Sequence, residues 1–147
     1  MRLAAATITA SLAWAACSSA GPARPVPIEL GTAFSLRAGE STQTLGGALR
    51  VGFEGVSVDS RCPKGEQCVW AGDATARVWL QQGGGAKDVR ELHTASGAAQ
   101  AATALGHRLR LVRLEPYPVT GRVIVKEDYV VTLMLSRGAM TEVEADR

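Results

Sequence analysis

Two cysteines lie in the short stretch 59–73, which also holds the residues best suited to chemistry. Cys62 and Cys68 are separated by five residues. Such a pair can form a disulfide, act as a redox couple or contribute to a metal site. A thioredoxin-like pair has only two intervening residues, and zinc would need two further ligands. In an exported protein this spacing favours a structural disulfide, which would fix a crossover between two β-strands.

Charged and aromatic residues flank the two cysteines. Asp59, Arg61 and Asp73 could form a polar binding or catalytic cluster. In the structural interpretation, which we favour, the aspartates cap turns and Arg61 bridges a carboxylate, tying the loop ends together. Trp70 is expected to pack on the disulfide or to cover one end of the domain. Together Asp59, Arg61, Trp70 and Asp73 form the candidate binding surface.

Patterns typical of catalysis are weak elsewhere in the chain. A hydrolase would need two carboxylates facing each other across a cleft, and Asp59, Asp73 and Glu115 are the candidates. No Gly-x-Ser-x-Gly motif occurs, and His93 and His107 lie in no catalytic motif. We expect both histidines to face solvent or to cap turns. The sequence predicts no catalytic residue, metal ligand or cofactor. An envelope hydrolase and a periplasmic metal or redox protein are the alternatives to the binding function that we predict below.

Residues 1–16 have the features of a signal peptide. Arg2 precedes an apolar run that is too short to span a bilayer. Small residues then lead to Cys17, as in the lipidation motif of bacterial lipoproteins, although Trp14 stands where an aliphatic residue is usual. An exported chain with three cysteines leaves one of them unpaired, and lipid attachment at Cys17 accounts for it. Ordinary cleavage after Ala15 or Ala20 is the alternative.

Four segments follow from this organisation. Residues 1–16 are the signal peptide, 17–27 the lipidated cysteine with a proline-rich tether, 28–137 the domain, and 138–147 a charged tail. Ser18 follows the lipidation site, and by resemblance to other lipoproteins it indicates an outer-membrane protein facing the periplasm. A soluble periplasmic or secreted protein is the alternative.

Composition limits the partners and the fold. The formal charge is +2 and no block of basic residues occurs, so we expect no nucleic-acid partner. Arg108, Arg110 and Arg113 lie along one predicted strand; we expect a solvated face there, with a patch for anionic lipid or glycan as the alternative. Aromatic residues make up only 5% of the chain. These features indicate one domain with a β-type core of small side chains.

Short runs of alternating apolar and polar residues, separated by turn residues, cover residues 28–137. They predict an all-β fold, an antiparallel, immunoglobulin-like β-sandwich of seven or eight short strands, with a small β-barrel as the alternative. A change of phase at Gly55 predicts a β-bulge. Further expectations are a strand from residue 28, an edge strand at 41–45, a loop with one helical turn at 96–106, a cis bond at Tyr117–Pro118, a short strand at 123–125 and a central strand at 129–135.

The segments Asp59–Pro63 and Cys68–Gly72, with Arg108–Pro118 further along, resemble a group of uncharacterised small bacterial lipoproteins. The resemblance covers residues 32–136 and implies an exported β-rich domain with a short disulfide loop. It implies no activity or cofactor. We therefore predict a non-enzymatic, membrane-tethered binding or interaction module of the cell envelope. Its partner would be an envelope protein or a small ligand, with Trp70 as a possible anchor residue.

Overall fold

The computed structural model describes residues 25–138. The predicted signal peptide, Cys17, the first part of the tether and nearly all of the charged tail lie outside this range. The described residues form eight strands: β1 (Ala33–Arg37), β2 (Ser41–Gln43), β3 (Leu49–Asp59), β4 (Ala74–Gln82), β5 (Asp88–His93), β6 (Ala101–Ala104), β7 (His107–Glu115) and β8 (Val130–Arg137). One 3-10 turn, Lys126–Asp128, precedes β8. No helix within residues 25–138 is long and apolar enough to cross a bilayer.

The strands form two four-stranded antiparallel sheets. The first has the order β1-β8-β7-β6 and the second the order β2-β3-β4-β5. The sheets do not close into a barrel. The predicted antiparallel β-sandwich is confirmed, and the barrel alternative is wrong.

The core lies between the two sheets and is built by the alternation seen in the sequence. Every second side chain points inward along a strand, so one face of each sheet is apolar. The largest fully buried side chains are Phe53, Leu80, Leu92, Leu109, Leu133 and Leu135. Burial of each such side chain contributes roughly 1.5–3 kcal/mol. Most of the remaining core residues are valine, alanine and leucine, as the composition predicts.

Several local predictions are confirmed. The β3–β4 register shifts between Phe53 and Gly55, and Gly55 has a φ of 140°. This is the predicted bulge at a glycine. Strand β2 is an edge strand, and β8 lies between β1 and β7 in its sheet.

Other local predictions are wrong. The first strand begins at Ala33, and Ile28 makes only an isolated bridge to Thr44. Residues 101–104, expected in a loop with a helical turn, form β6, because their backbone pairs with β7 and Ala104 is buried. Residues 123–125 form no strand. The cis peptide bond is Glu115–Pro116, one proline earlier than expected.

Candidate functional site

The stretch 60–73 is a long hairpin loop, which we call the disulfide loop. It joins β3 and β4, which are neighbours in one sheet, so the predicted crossover is wrong. Cys62 and Cys68 form the predicted disulfide, with their Cα atoms 5.9 Å apart. The backbone N–H of Cys62 donates to the carbonyl of Ala71 at 2.9 Å. The disulfide therefore closes a loop whose two strands are already hydrogen-bonded at the base.

A glycine permits the close approach at the base of the disulfide loop. Gly72 has a φ of 74°, a conformation that favours glycine. A Cβ atom at this position would overlap the carbonyl group of Ser60. The N–H of Ser60 donates to the carbonyl of Asp73 at 2.7 Å, and the N–H of Asp73 donates to Ser60 Oγ at 3.1 Å. Hydrogen bonds between Ser60 and Asp73 therefore hold the two sides of the loop close together at its base.

Arg61 anchors the disulfide loop to the opposite sheet. Only 7% of its surface is exposed. Its Nε and Nη2 donate to Asp59 Oδ1 and Oδ2 at 2.8 and 2.6 Å. Nη1 donates to the carbonyl of Leu114 and Nη2 to that of Pro116, both at 3.0 Å. Because Asp59 ends β3 and Leu114 lies in β7, this one side chain joins the two sheets.

The ion pair of Arg61 joins different segments from those that the sequence predicted. Arg61 bonds Asp59, as the structural interpretation allowed, but it does not bond Asp73. It therefore ties the start of the disulfide loop to the end of β7 and does not tie the two loop ends together. Sequence alone gave no signal for this, because the acceptors are backbone carbonyls more than 50 positions away.

Asp59 is an ionised acceptor in this network. Burial would raise the pKa of Asp59, but hydrogen bonds from Arg61 and Tyr129 outweigh burial and hold the pKa below the usual 3.8. The Tyr129 hydroxyl donates to Asp59 Oδ2 at 2.9 Å. Burial and the neighbouring carboxylate raise the pKa of Tyr129 to about 12. The carboxylate is thus committed to structural hydrogen bonds near neutral pH.

A second network surrounds Asp73, the other candidate aspartate. Asp73 Oδ2 accepts a hydrogen bond from His93 Nδ1 at 2.6 Å. Asp73 Oδ1 accepts from the backbone N–H groups of Thr94 and Ala95 at 3.0 and 2.9 Å. Burial would raise the pKa of Asp73, but the bond from His93 and those from the 94–95 turn lower it below the usual 3.8. Asp73 therefore caps the turn after β5, as the structural interpretation predicted.

The two histidines occupy different environments. His93 is partly buried and bonded to Asp73, whereas His107 Nδ1 bonds the carbonyl of Leu105 at 2.8 Å on the surface. Glu115, the third candidate carboxylate, is exposed and pairs with Arg113 at 3.5 Å. Each of the three candidate carboxylates therefore has its own cationic or imidazole partner: Asp59 bonds Arg61, Asp73 bonds His93 and Glu115 pairs with Arg113.

The far side of the disulfide loop rests on the segment that follows β7. The N–H of Lys64 donates to the carbonyl of Pro118 at 2.9 Å, and the N–H of Thr120 donates to that of Lys64 at 3.1 Å. The Tyr117 hydroxyl donates to the carbonyl of Cys62 at 2.9 Å, and its ring faces the Arg61 guanidinium at 5.1 Å. The disulfide loop is therefore fixed at its base and along one side.

Two apolar side chains that follow Cys68 project from the disulfide loop into solvent, and we call residues 69–70 the tip. Val69 is 91% exposed and Trp70 is 81% exposed. The expectation that Trp70 packs on the disulfide or covers the end of the sandwich is wrong. The candidate surface thus divides into two parts: Asp59, Arg61 and Asp73 hold the base, and Trp70 stands apart at the tip.

A cavity of about 210 Å³ lies beside the base of the disulfide loop. Its polar lining comes from Arg61, His93, Thr94, Gln100, Arg113 and Tyr117. Of the four candidate surface residues, only Arg61 reaches it. Gln100 and Tyr117 carried no sequence motif that marked them. Within residues 25–138, no three His, Cys, Asp or Glu side chains converge where they could hold a metal ion.

Comparison with known proteins adds no assignment. No protein-family model, curated protein or solved structure matches the chain. The resemblance to small bacterial lipoproteins therefore stays a prediction.

Proposed function

We propose that this protein is a non-enzymatic binding module of the cell envelope, tethered to a membrane, that contacts a protein partner through the tip of its disulfide loop. The observation that carries the proposal is the exposure of Trp70 and Val69, at 81% and 91%, on a loop that is otherwise fixed. Tryptophan is enriched among the residues that dominate binding energy in protein interfaces.

The energetics of the tip support this proposal. Burial of a tryptophan removes roughly 150–250 Å² of surface from water, which corresponds to about 4–6 kcal/mol of gross apolar transfer free energy. Ordering a mobile loop would consume part of that energy. Here the disulfide, the base hydrogen bonds and Arg61 already hold the loop. Little ordering is then left to oppose binding.

The bonding of the carboxylates favours a binding role over hydrolysis. Asp59 accepts hydrogen bonds from Arg61 and Tyr129, and Asp73 accepts them from His93, Thr94 and Ala95. Neither carboxylate lines the cavity beside the loop. A general acid or base must reach its substrate, so these two groups suit support of the loop better than catalysis.

The tether is proposed from the sequence. A signal peptide over 1–16, a lipid on Cys17 and a proline-rich segment up to residue 27 would hold the domain at the periplasmic face of an outer membrane. Cys17→Ser should move the protein from the membrane fraction to the soluble periplasmic fraction. Ser18→Ala, which keeps the cysteine, should stay in the membrane fraction. Retention of Cys17→Ser in membranes would refute the lipid anchor.

Site-specific crosslinking in cells tests the binding tip. A photo-reactive amino acid at Val69 should give a discrete crosslinked species, and Trp70→Ala in the same chain should abolish it. The matched control places the photo-reactive residue at Val123, which is 89% exposed but lies outside the disulfide loop. An equally strong crosslink from residue 123, or a crosslink from residue 69 that survives Trp70→Ala, would contradict the proposal.

A further inference from the structure

The cavity beside the disulfide loop has the features of a binding site for a small anion. It lies between the end of β7, the loop that follows β5 and the Arg61 side chain. Arg61, His93 and Arg113 contribute cationic or ionisable nitrogen groups to its lining. Among the described residues, its lining contains no carboxylate. The cavity lining therefore presents nitrogen side chains and no carboxylate, and their paired carboxylates Asp59, Asp73 and Glu115 lie outside it.

The carboxylates that bond Arg61 and His93 lie outside the cavity lining. Asp59 pairs with Arg61, and Asp73 pairs with Nδ1 of His93, yet neither aspartate lines the cavity. In this arrangement the aspartates fix the orientation of the arginine and the imidazole, whose other atoms remain for a ligand. Because Nδ1 of His93 bonds Asp73, Nε2 is the ring nitrogen left for a ligand.

Arg61 retains one N–H donor that bonds no acceptor in the described part of the chain. A guanidinium carries five N–H groups. Four of them bond Asp59, Leu114 and Pro116. The fifth, on Nη1, has no acceptor within residues 25–138. Because Arg61 lines the cavity, an anionic oxygen bound there would accept this N–H.

The size and the walls of the cavity narrow the ligand class. The cavity has a volume of about 210 Å³, which suits only a small ligand. Leu111, Val112 and the Tyr117 ring provide apolar surface beside the nitrogen donors. A carboxylate oxygen accepts a hydrogen bond from the free N–H of Arg61, and an apolar body would contact the remaining wall.

We infer that this cavity binds a small organic carboxylate with a compact apolar body. Arg61 and Arg113 contact the carboxylate, His93 forms part of the wall, and Tyr117 packs against the body of the ligand. Arg113 is exposed and its pair with Glu115 is long, at 3.5 Å, so an exchange of Glu115 for a ligand carboxylate would cost little free energy. This site is separate from the tip at 69–70 and does not depend on the proposed function.

Calorimetric titration of the purified full-length protein tests the inference, with benzoate as the probe. We expect saturable binding at one site with a Kd of about 1 mM or lower. Benzamide, which has the same shape without the charge, should bind at least about tenfold more weakly, because it loses the charged hydrogen bonds. Absence of saturable benzoate binding, or equal affinity for benzamide, would overturn the inference. Tighter binding of inorganic phosphate than of benzoate would overturn the assigned ligand class.

Variants on the rim of the cavity locate the site. Arg113→Gln and His93→Gln should each weaken benzoate binding by about tenfold. Arg110→Gln is the matched control, because Arg110 is exposed on the same strand but does not line the cavity. A separate melting curve checks that each variant is folded. Benzoate binding that is unchanged in folded Arg113→Gln and His93→Gln would place the ligand elsewhere and refute the inference.

Discussion

Replacement of Arg61 by methionine is the most direct test of how the sandwich and its disulfide loop are held together. Arg61→Met keeps much of the side-chain volume but removes the charge and all the guanidinium donors. The variant leaves Asp59 without its ion-pair partner, and it leaves the carbonyls of Leu114 and Pro116 without their side-chain donors. The loss therefore affects both sheets at once.

The magnitude follows from the burial of the pair. The exposed fractions of the two side chains are 6% for Arg61 and 11% for Asp59. Removing one partner of a buried ion pair costs about 3–5 kcal/mol, since the remaining charge stays desolvated. A domain of this size has a total stability of about 5–15 kcal/mol. We expect Arg61→Met to lower the free energy of unfolding by about 3–5 kcal/mol, a large fraction of the total.

Urea unfolding at neutral pH with the disulfide intact measures this loss. Arg77→Met is the matched control: Arg77 pairs with Glu54 at 3.2 Å, but the two side chains are 45% and 40% exposed. An exposed pair contributes about 0–1 kcal/mol. Asp59→Leu combined with Arg61→Met should cost less than the sum of the two single changes, since the double variant leaves no unpaired charge. Strict additivity, or a loss no larger than that of Arg77→Met, would refute the reasoning.

Three further changes test other parts of the fold. Reduction of the Cys62–Cys68 disulfide should destabilise the domain by about 2 kcal/mol and lower Tm by roughly 10 °C; an unchanged Tm would mean that the bridge adds nothing to the loop hydrogen bonds. Gly72→Ala should cost about 1–3 kcal/mol because of its φ and its close approach, whereas Gly84→Ala, which has open space, should be nearly neutral by urea unfolding. The pKa of Tyr129 in the folded protein is about 12, above its usual 10.0. Its contribution to the free energy of unfolding is therefore complete below pH 10 and is lost as pH rises toward 12. Between pH 10 and 12 the free energy of unfolding should therefore fall less steeply with pH for Tyr129→Phe than for the wild type. Identical slopes of the free energy of unfolding against pH would contradict this.

The fold could be predicted largely from the sequence because its signals are local. Alternation of apolar and polar residues identified most of the core strands, and the change of phase at Gly55 identified a bulge. Strand β6 was missed, because alanine-rich sequence carries little strand propensity and its pairing with β7 decides the conformation. The position of the cis bond was also missed, because adjacent Glu-Pro and Tyr-Pro pairs look alike in sequence.

The candidate site was only partly predictable, because its bonds join distant segments. The spacing of Cys62 and Cys68 predicted the disulfide. No pattern linked Arg61 to the carbonyls at the end of β7 or Asp73 to His93. The predicted packing of Trp70 was wrong, because its side chain is exposed. The prediction assumed that a large aromatic side chain next to a disulfide covers the disulfide.

The charged residues of the disulfide loop resembled a reactive cluster in sequence, but in the structure they orient other groups. Asp59 and Asp73 each direct the bonding atoms of a nitrogen side chain, Arg61 and His93 respectively. Both nitrogen side chains reach the same cavity, and Arg61 also holds the loop that carries Trp70. One buried ion pair therefore supports two surfaces with different properties, an apolar tip suited to a protein and a cavity suited to a small anion. These two surfaces share a scaffold but no ligand-contacting atom. Changes at Trp70 should therefore affect only binding of the protein partner, and changes at Arg113 only binding of the small anion.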